Sequence, residues 1–187
     1  NMGYEVVLVS SGAIAVGRNK LNMTSKPDSM RMKQAAAAVG QCSLMYLYDK
    51  FFGDYDKTVA QILLNAEDIE QEEKKENLIN TFNALLEMGV IPIVNENDSV
   101  SYKEIESEDR LFGDNDMLSA VVAVLCRARH LVILSDIDGF YDHDPRLYPN
   151  AKLIEQIDTI DDSVYALAGG AGSRRGTGGM RTKLQAA

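Results

Sequence analysis

The chain has 187 residues, a formal net charge of −9, and 45% hydrophobic and 25% charged residues. A chain of this length buries roughly 70% of the surface its unfolded form exposes, so no disulfide or structural metal is needed to hold it. The composition excludes a disordered tail, a collagen-like repeat and a membrane protein, and the acidic balance argues against nucleic acid as a partner, though not against a small phosphate compound.

Asn1 to Tyr4 carries no signal pattern and leads straight into an apolar run, Glu5 to Val9. The chain therefore reads as cytoplasmic. The run is β-branched and nearly continuous, the pattern of a parallel strand covered on both faces. Ser10-Ser11-Gly12-Ala13 follows, then a short helix. Gly12 lets backbone approach a ligand, and the helix start favours an anion. A helix is expected from about Ser29 to Phe52. A second strand covers Thr58 to Leu64, and a second long helix Ile69 to Met88. Its stripe is Leu78, Phe82, Leu85 and Leu86, and Gly89 sits where a C′ residue belongs. The Glu70 to Glu76 charge run reads as its wet face. A third strand is Val90 to Val94, followed by Asn95-Glu96-Asn97-Asp98. The acidic stretch Tyr102 to Leu111 is either a lid or regulatory element, or a plain exposed loop. Gly113-Asp114-Asn115-Asp116 then opens a helix carrying Leu118, Val121, Val122 and Leu125. A fourth strand is expected at His130 to Leu134, followed by Ser135-Asp136. Gly176 to Lys183 is a glycine-rich loop that opens a helix and carries a lysine. It matches neither the Walker A nor the Gly-x-Gly-x-x-Gly spacing.

Strand–helix alternation of this kind means an α/β fold, a three-layer α/β/α sandwich around a mainly parallel sheet. Ligands of such sheets bind outside the carboxyl ends of the strands. Three strands deliver Ser, Asn, Asp and Gly to that edge. Each cluster alone is explained as well by turn chemistry; the three together favour a site. Asn115 or Asp116 alone would serve as an N-cap. The glycine loop would cradle phosphate oxygens with its N–H groups, while its lysine neutralises charge; a flexible linker is the plainer reading. The two cysteines, Cys42 and Cys126, read as buried free thiols in a reducing compartment. The two histidines, His130 and His143, have no zinc-site spacing, and no metal site is expected.

These pieces together resemble the amino-acid kinase family. The segments that carry the resemblance are SSGAIAVG (Ser10–Gly17), AAVGQ (Ala37–Gln41), IPIVNENDSV (Ile91–Val100), FGDNDMLSA (Phe112–Ala120), LSDIDGFYDHDP (Leu134–Pro145) and GTGGMRTKLQAA (Gly176–Ala187). The resemblance implies an ATP-dependent enzyme that phosphorylates the γ-carboxylate of L-glutamate, the first step of proline synthesis. It assigns glutamate to Ser11, Gly12, Asn95, Asp98, Asp114 and Asn115. It assigns the nucleotide to Ser135, Asp136, Thr177, Gly178, Gly179, Met180, Arg181, Thr182 and Lys183. Lys183 is one of two lysines that stabilise the transferring phosphoryl group, and Asp116 orients them. Mg²⁺ comes with ATP. Proline as a feedback inhibitor and assembly into homo-oligomers are implied by the family alone.

The whole chain, 1–187, reads as one partial kinase domain. Residues 1–125 form the amino-acid half and 126–187 the start of the nucleotide half. It reads as truncated at both ends, with no counterpart of the family's other lysine. A molecule of these residues alone is expected to be close to inactive, because removing one transition-state cation costs on the order of 10³–10⁵ in rate. Another carboxylate kinase of the same fold, or an amino-acid sensor binding glutamate or proline without turnover, are the alternatives.

Overall fold

Three of the four apolar runs become strands of one parallel sheet in the computed structural model of the chain, which describes residues 3–100, 115–168 and 179–187. The chain forms two compact units, Asn1–Asn115 and Asp116–Ala187.

In the first unit, β1 (Leu8–Val9), β2 (Val59–Leu64) and β3 (Ile91–Glu96) pair in the order β1-β3-β2, all parallel. Strand β3 is central, and Pro92, Ile93, Val94 and Asn95 on it are buried. It runs two residues further than the apolar run suggests, because the ladder with β2 continues through Leu63 opposite Asn95 and Leu64 opposite Glu96. Strand β1 pairs only at Leu8 and Val9.

Helix α1 (Ala13–Lys20) crosses α2 (Met30–Gly53) with backbone against backbone. A Cβ on Gly17 would lie 1.7 Å from the carbonyl oxygen of Ala36, and one on Gly40 would lie 1.7 Å from that of Ala13. No side chain fits there. The neighbours, Ala13, Ala36 and Ala37, are themselves small and buried.

The helix expected from Ile69 to Met88 is two helices, α3 (Ala66–Glu70) and α4 (Glu72–Glu87). Asn65 and Asp68 form a capping box, with the Asn65 N–H donating to Asp68 Oδ2 at 2.7 Å, so helix starts earlier than the apolar periodicity shows. Gln71 is extended and separates the two. Glu72 and Glu73 then stand in the first turn of α4, where the helix dipole favours acids. The charge run does lie at the surface, with Lys75 on Glu72 at 3.1 Å and Lys74 on Asp68 at 3.7 Å. Phe82 is 1% exposed and anchors α4. The helix ends as expected: Gly89 has φ 71°, its N–H donates to Leu86, and the Val90 N–H donates to Leu85.

In the second unit, α5 (Asn115–Leu125) leads in from the first and buries Leu118, Val122 and Leu125. The fourth expected strand is overturned. His130 to Leu134 pairs with no strand among the described residues, and Val132 and Leu134 are 75% and 84% exposed. Apolar β-branched residues favour extended backbone, but a strand exists only where another offers its ladder. A hairpin follows, β4 (Phe140–Tyr141) antiparallel to β5 (Leu153–Ile154). Asp142 ties its loop end by accepting from the Lys152 N–H at 2.7 Å, a bond that lowers its carboxyl pKa. Helices α6 (Asp162–Leu167) and α7 (Met180–Ala186) follow. Asp161 caps α6 by accepting from the N–H groups of Ser163 and Val164.

The fit of α1 against α2 gives a direct expectation. Gly40→Ala should cost more than the roughly 1–3 kcal/mol of ordinary overpacking, because backbone cannot rotate aside. Gly53→Ala, with nothing within 4 Å of the added Cβ, should change stability by no more than about 1 kcal/mol. Urea midpoints compare the two; equal shifts would contradict the backbone contact.

Candidate functional site

The strand ends are level where it matters. Val9 lies opposite Val94, and the Ser10 N–H donates to the Val94 carbonyl at 2.9 Å. Ser10-Ser11 therefore leaves β1 beside Asn95 and Glu96, the last residues of β3, and Asn97-Asp98 follows at the same carboxyl edge. Two of the three clusters expected on that edge meet in the first unit. The third, Ser135-Asp136, follows a segment that is not a strand.

A set of side-chain amides lies under this edge. Asn95 is 3% exposed. Its Oδ1 accepts from the Glu96 N–H at 2.9 Å and from Asn115 Nδ2 at 3.2 Å. Its Nδ2 donates to Gln41 Oε1 at 3.1 Å. Asn115 Nδ2 also donates to the Ser10 carbonyl. Ser10 is buried as well, and its hydroxyl shares a 2.7 Å hydrogen bond with the Tyr48 hydroxyl. Gln41 and Tyr48 stand two turns apart on one face of α2 and reach β3 and the end of β1 respectively.

The remaining residues of the two turns are more open. Ser11 and Gly12 are exposed. Gly12 caps α1 with φ 99°, a left-handed conformation that favours glycine, and a Cβ there would meet open space. Asp98 is half-buried in the turn Asn97 to Val100, which is closed by the Val100 N–H on the Asn97 carbonyl at 3.1 Å. The structure thus gathers Ser11, Gly12, Asn95, Asp98 and Asn115 at one edge. Asp114 and the stretch Tyr102 to Leu111 lie outside the described residues. Asn95 is buried and hydrogen-bonded to Glu96, Asn115 and Gln41, so it supports the edge rather than lining it.

In the second unit, Asp116 Oδ2 receives Lys183 Nζ at 2.8 Å and the Thr182 hydroxyl at 3.4 Å. Both members of the ion pair are mostly buried, with side chains 17% and 22% exposed. Asp116 therefore fixes the direction of a lysine 67 residues further along the chain. Thr182 also donates to the carbonyl of Gly179, the residue that caps α7, and Met180 opens that helix. Arg181 lies over the Tyr165 ring at 5.6 Å. Asp136 makes an exposed pair with Arg146 at 3.1 Å, and Ser135 is exposed beside it. Thr177 and Gly178 lie outside the described residues. Both cysteines are free thiols, but Cys42 is exposed, against expectation, because it sits on the outer side of α2 next to buried Gln41. Cys126 is partly covered, and burial pushes its pKa up to about 11, which keeps it an un-ionised thiol at neutral pH. Among the described residues no three His, Cys, Asp or Glu stand close enough to hold a metal, and no helix is long and apolar enough to cross a membrane.

The family model of the amino acid kinase family matches residues 1–187. The chain belongs to that family. Several relatives share much of its sequence. The glutamate 5-kinase of Clostridium perfringens is 58% identical over all 187 residues, which cover 69% of that protein. The glutamate 5-kinase of Caldanaerobacter subterraneus is 51% identical over the same residues, 49% of its length. That of Listeria monocytogenes is also 51% identical, over 67% of its length. The chain thus spans between about half and about two thirds of the relatives it matches.

Two residues that reach this edge, Gln41 and Tyr48, are not among the site residues expected from the sequence. Gln41 had a visible signal, a lone amide closing an alanine- and glycine-rich stretch, Ala35 to Gly40. Tyr48 had none, since a tyrosine on a helix is ordinary. Asn95 makes the network testable. Asn95→Leu strands the Glu96 N–H, Gln41 Oε1 and one Asn115 N–H, and should cost about 3 kcal/mol at the denaturant midpoint. A loss below about 1 kcal/mol would show that these groups are not paired through Asn95.

Proposed function

We propose that the protein transfers the γ-phosphoryl group of ATP to the γ-carboxylate of L-glutamate, giving γ-glutamyl phosphate at the start of proline biosynthesis. The observation that carries this reading is the 58% identity, over the whole chain, to a glutamate 5-kinase. The geometry supplies suitable parts. A carboxylate oxygen attacks the γ-phosphorus, and the bond from that phosphorus to the oxygen of the departing ADP breaks. A carboxylate is ionised at neutral pH, so no general base is required. The demand on the protein is to position two anions and to offset their repulsion.

Residues 1–125 serve the amino acid and 126–187 begin the nucleotide half. Glutamate is held by the exposed Ser11–Gly12 turn, by Asp98 and by Asn115; the family resemblance adds Asp114 to its binding residues. The Gly12 turn and the N–H groups that follow it suit a carboxylate. The nucleotide lies along Ser135, Asp136 and the stretch Thr177 to Lys183. Lys183, aimed by Asp116, balances charge that grows on the transferring group. Mg²⁺ enters with the nucleotide, whose phosphates and water supply most of its ligands, and it neutralises phosphate charge. Tyr46, Leu47 and Phe51, exposed on α2, support self-association. Proline acts as feedback inhibitor, and the protein works in the cytoplasm.

Two substitutions in the full-length protein test the roles. Lys183→Ala should lower kcat by about 10³ or more with little change in glutamate affinity, since its contact strengthens in the transition state. An unchanged kcat in steady-state assays would remove Lys183 from the chemistry. Asp98→Ala should chiefly raise the KM for glutamate; a normal KM would place the amino acid elsewhere.

A further inference from the structure

Backbone hydrogen bonds hold Ser10 itself in place. Its N–H donates to the Val94 carbonyl at 2.9 Å, and its carbonyl accepts from Asn115 Nδ2. They do not fix the next peptide, Ser11–Gly12, which carries the turn into α1. Gly12 has φ 99°, but a glycine populates positive and negative φ about equally. The sequence therefore leaves this peptide free to stand either way up. In a trans peptide the C=O and the N–H point in opposite directions. With the Ser11 carbonyl turned in, the Gly12 N–H is turned out. Inverted, the turn offers a carbonyl oxygen, which repels a carboxylate.

The contacts around Ser10 select one of the two. The Ser11 carbonyl accepts from the Ser10 hydroxyl at 3.3 Å, and Ser10 is 7% exposed. The Gly12 N–H meets no acceptor among the described residues. A carbonyl can only accept, so the single hydroxyl proton of Ser10 is used on Ser11. In the 2.7 Å contact between the Ser10 and Tyr48 hydroxyls, the donor is then Tyr48. At 3.3 Å the bond to Ser11 is long for a hydroxyl. A donor behind it strengthens it and holds the Ser10 side chain in the rotamer that makes it.

We propose that Tyr48 is a positioning residue: through the Ser10 hydroxyl it holds the Ser11 carbonyl inward, so that the Gly12 N–H is turned outward to a carboxylate of the substrate. This inference rests on the reading that the protein phosphorylates glutamate and holds it at the Ser11–Gly12 turn. The effect of the phenol falls on how the turn receives glutamate and not on the transferring phosphoryl group.

The test uses the full-length protein. Tyr48→Phe removes one oxygen and keeps the ring. It should raise the KM for glutamate about fivefold, the loss expected of one hydrogen bond, and leave kcat and the KM for ATP within about twofold. Phe52→Leu is the packing control, because the Phe52 ring lies 6.4 Å from that of Tyr48. It thins the packing on Tyr48 but keeps the hydroxyl, and should leave the KM for glutamate within about twofold. Ser10→Ala removes the link, so adding Tyr48→Phe to it should raise the KM no further. A normal glutamate KM in Tyr48→Phe, an equal rise in Phe52→Leu, or a Tyr48→Phe effect that persists in full beside Ser10→Ala would overturn the proposal while leaving the glutamate reading intact. Should Ser10→Ala fail to fold, the comparison of Tyr48→Phe with Phe52→Leu decides. A wild-type protein that does not phosphorylate glutamate overturns both.

Discussion

The closeness of α1 to α2 is the constraint on which the first unit depends. Where Gly17 and Gly40 meet, each backbone occupies the space a side chain would need on the other. This contact sets the depth of α2 and the rotation of its faces. One residue past Gly40, Gln41 is buried beside β3, and two turns later Tyr48 meets Ser10. A displaced α2 would carry both polar groups away from the strand ends. Helix α1 is anchored by the same contact, and its cap is Gly12, in the turn that follows β1. A packing contact between small residues thus fixes polar groups well outside it.

Polar burial at the strand edge follows a consistent logic. Buried amides are costly unless paired, and paired amides hold their orientation strongly. Asn95 makes three hydrogen bonds and is nearly inaccessible. Its contribution is to orient Asn115, which is less buried. The exposed Ser11 and Gly12 and the half-buried Asp98 then stand over a layer whose donors and acceptors are already assigned. In the second unit one carboxylate does comparable work. Asp116 receives Lys183 and Thr182 together, so a flexible four-carbon stem ends in a defined place. Asn115 and Asp116 are consecutive, and each serves its own network.

Local chemistry written in a few neighbouring residues could be read in advance. Ser29 begins α2, Gly89 ends the Glu72–Glu87 helix in a left-handed conformation, and Leu78 to Leu86 mark its inner face. The polar clusters after β1 and β3 were legible because parallel strands send their ends to one edge. The break at Gln71 was not, since it falls inside the charge run Glu70 to Glu76, where no apolar period marks a helix start. The strand expected at His130 to Leu134 does not form and the hairpin Phe140 to Ile154 does, for one reason. Composition sets how readily a segment extends, while a neighbour decides whether it pairs.

By itself the sequence determined the α/β class, the Gly89 end of the second long helix and the polar clusters that follow β1 and β3 at one edge. Each follows from spacing or residue type within a short window, which backbone sterics and hydrophobic periodicity translate directly. Tertiary structure alone decided that Asp116 holds Lys183, that Asn95 is buried support, and that Gln41 and Tyr48 belong to the edge at all. Those facts depend on hydrogen bonds between residues tens of positions apart, and such pairs form only after packing has brought their elements within about 3 Å.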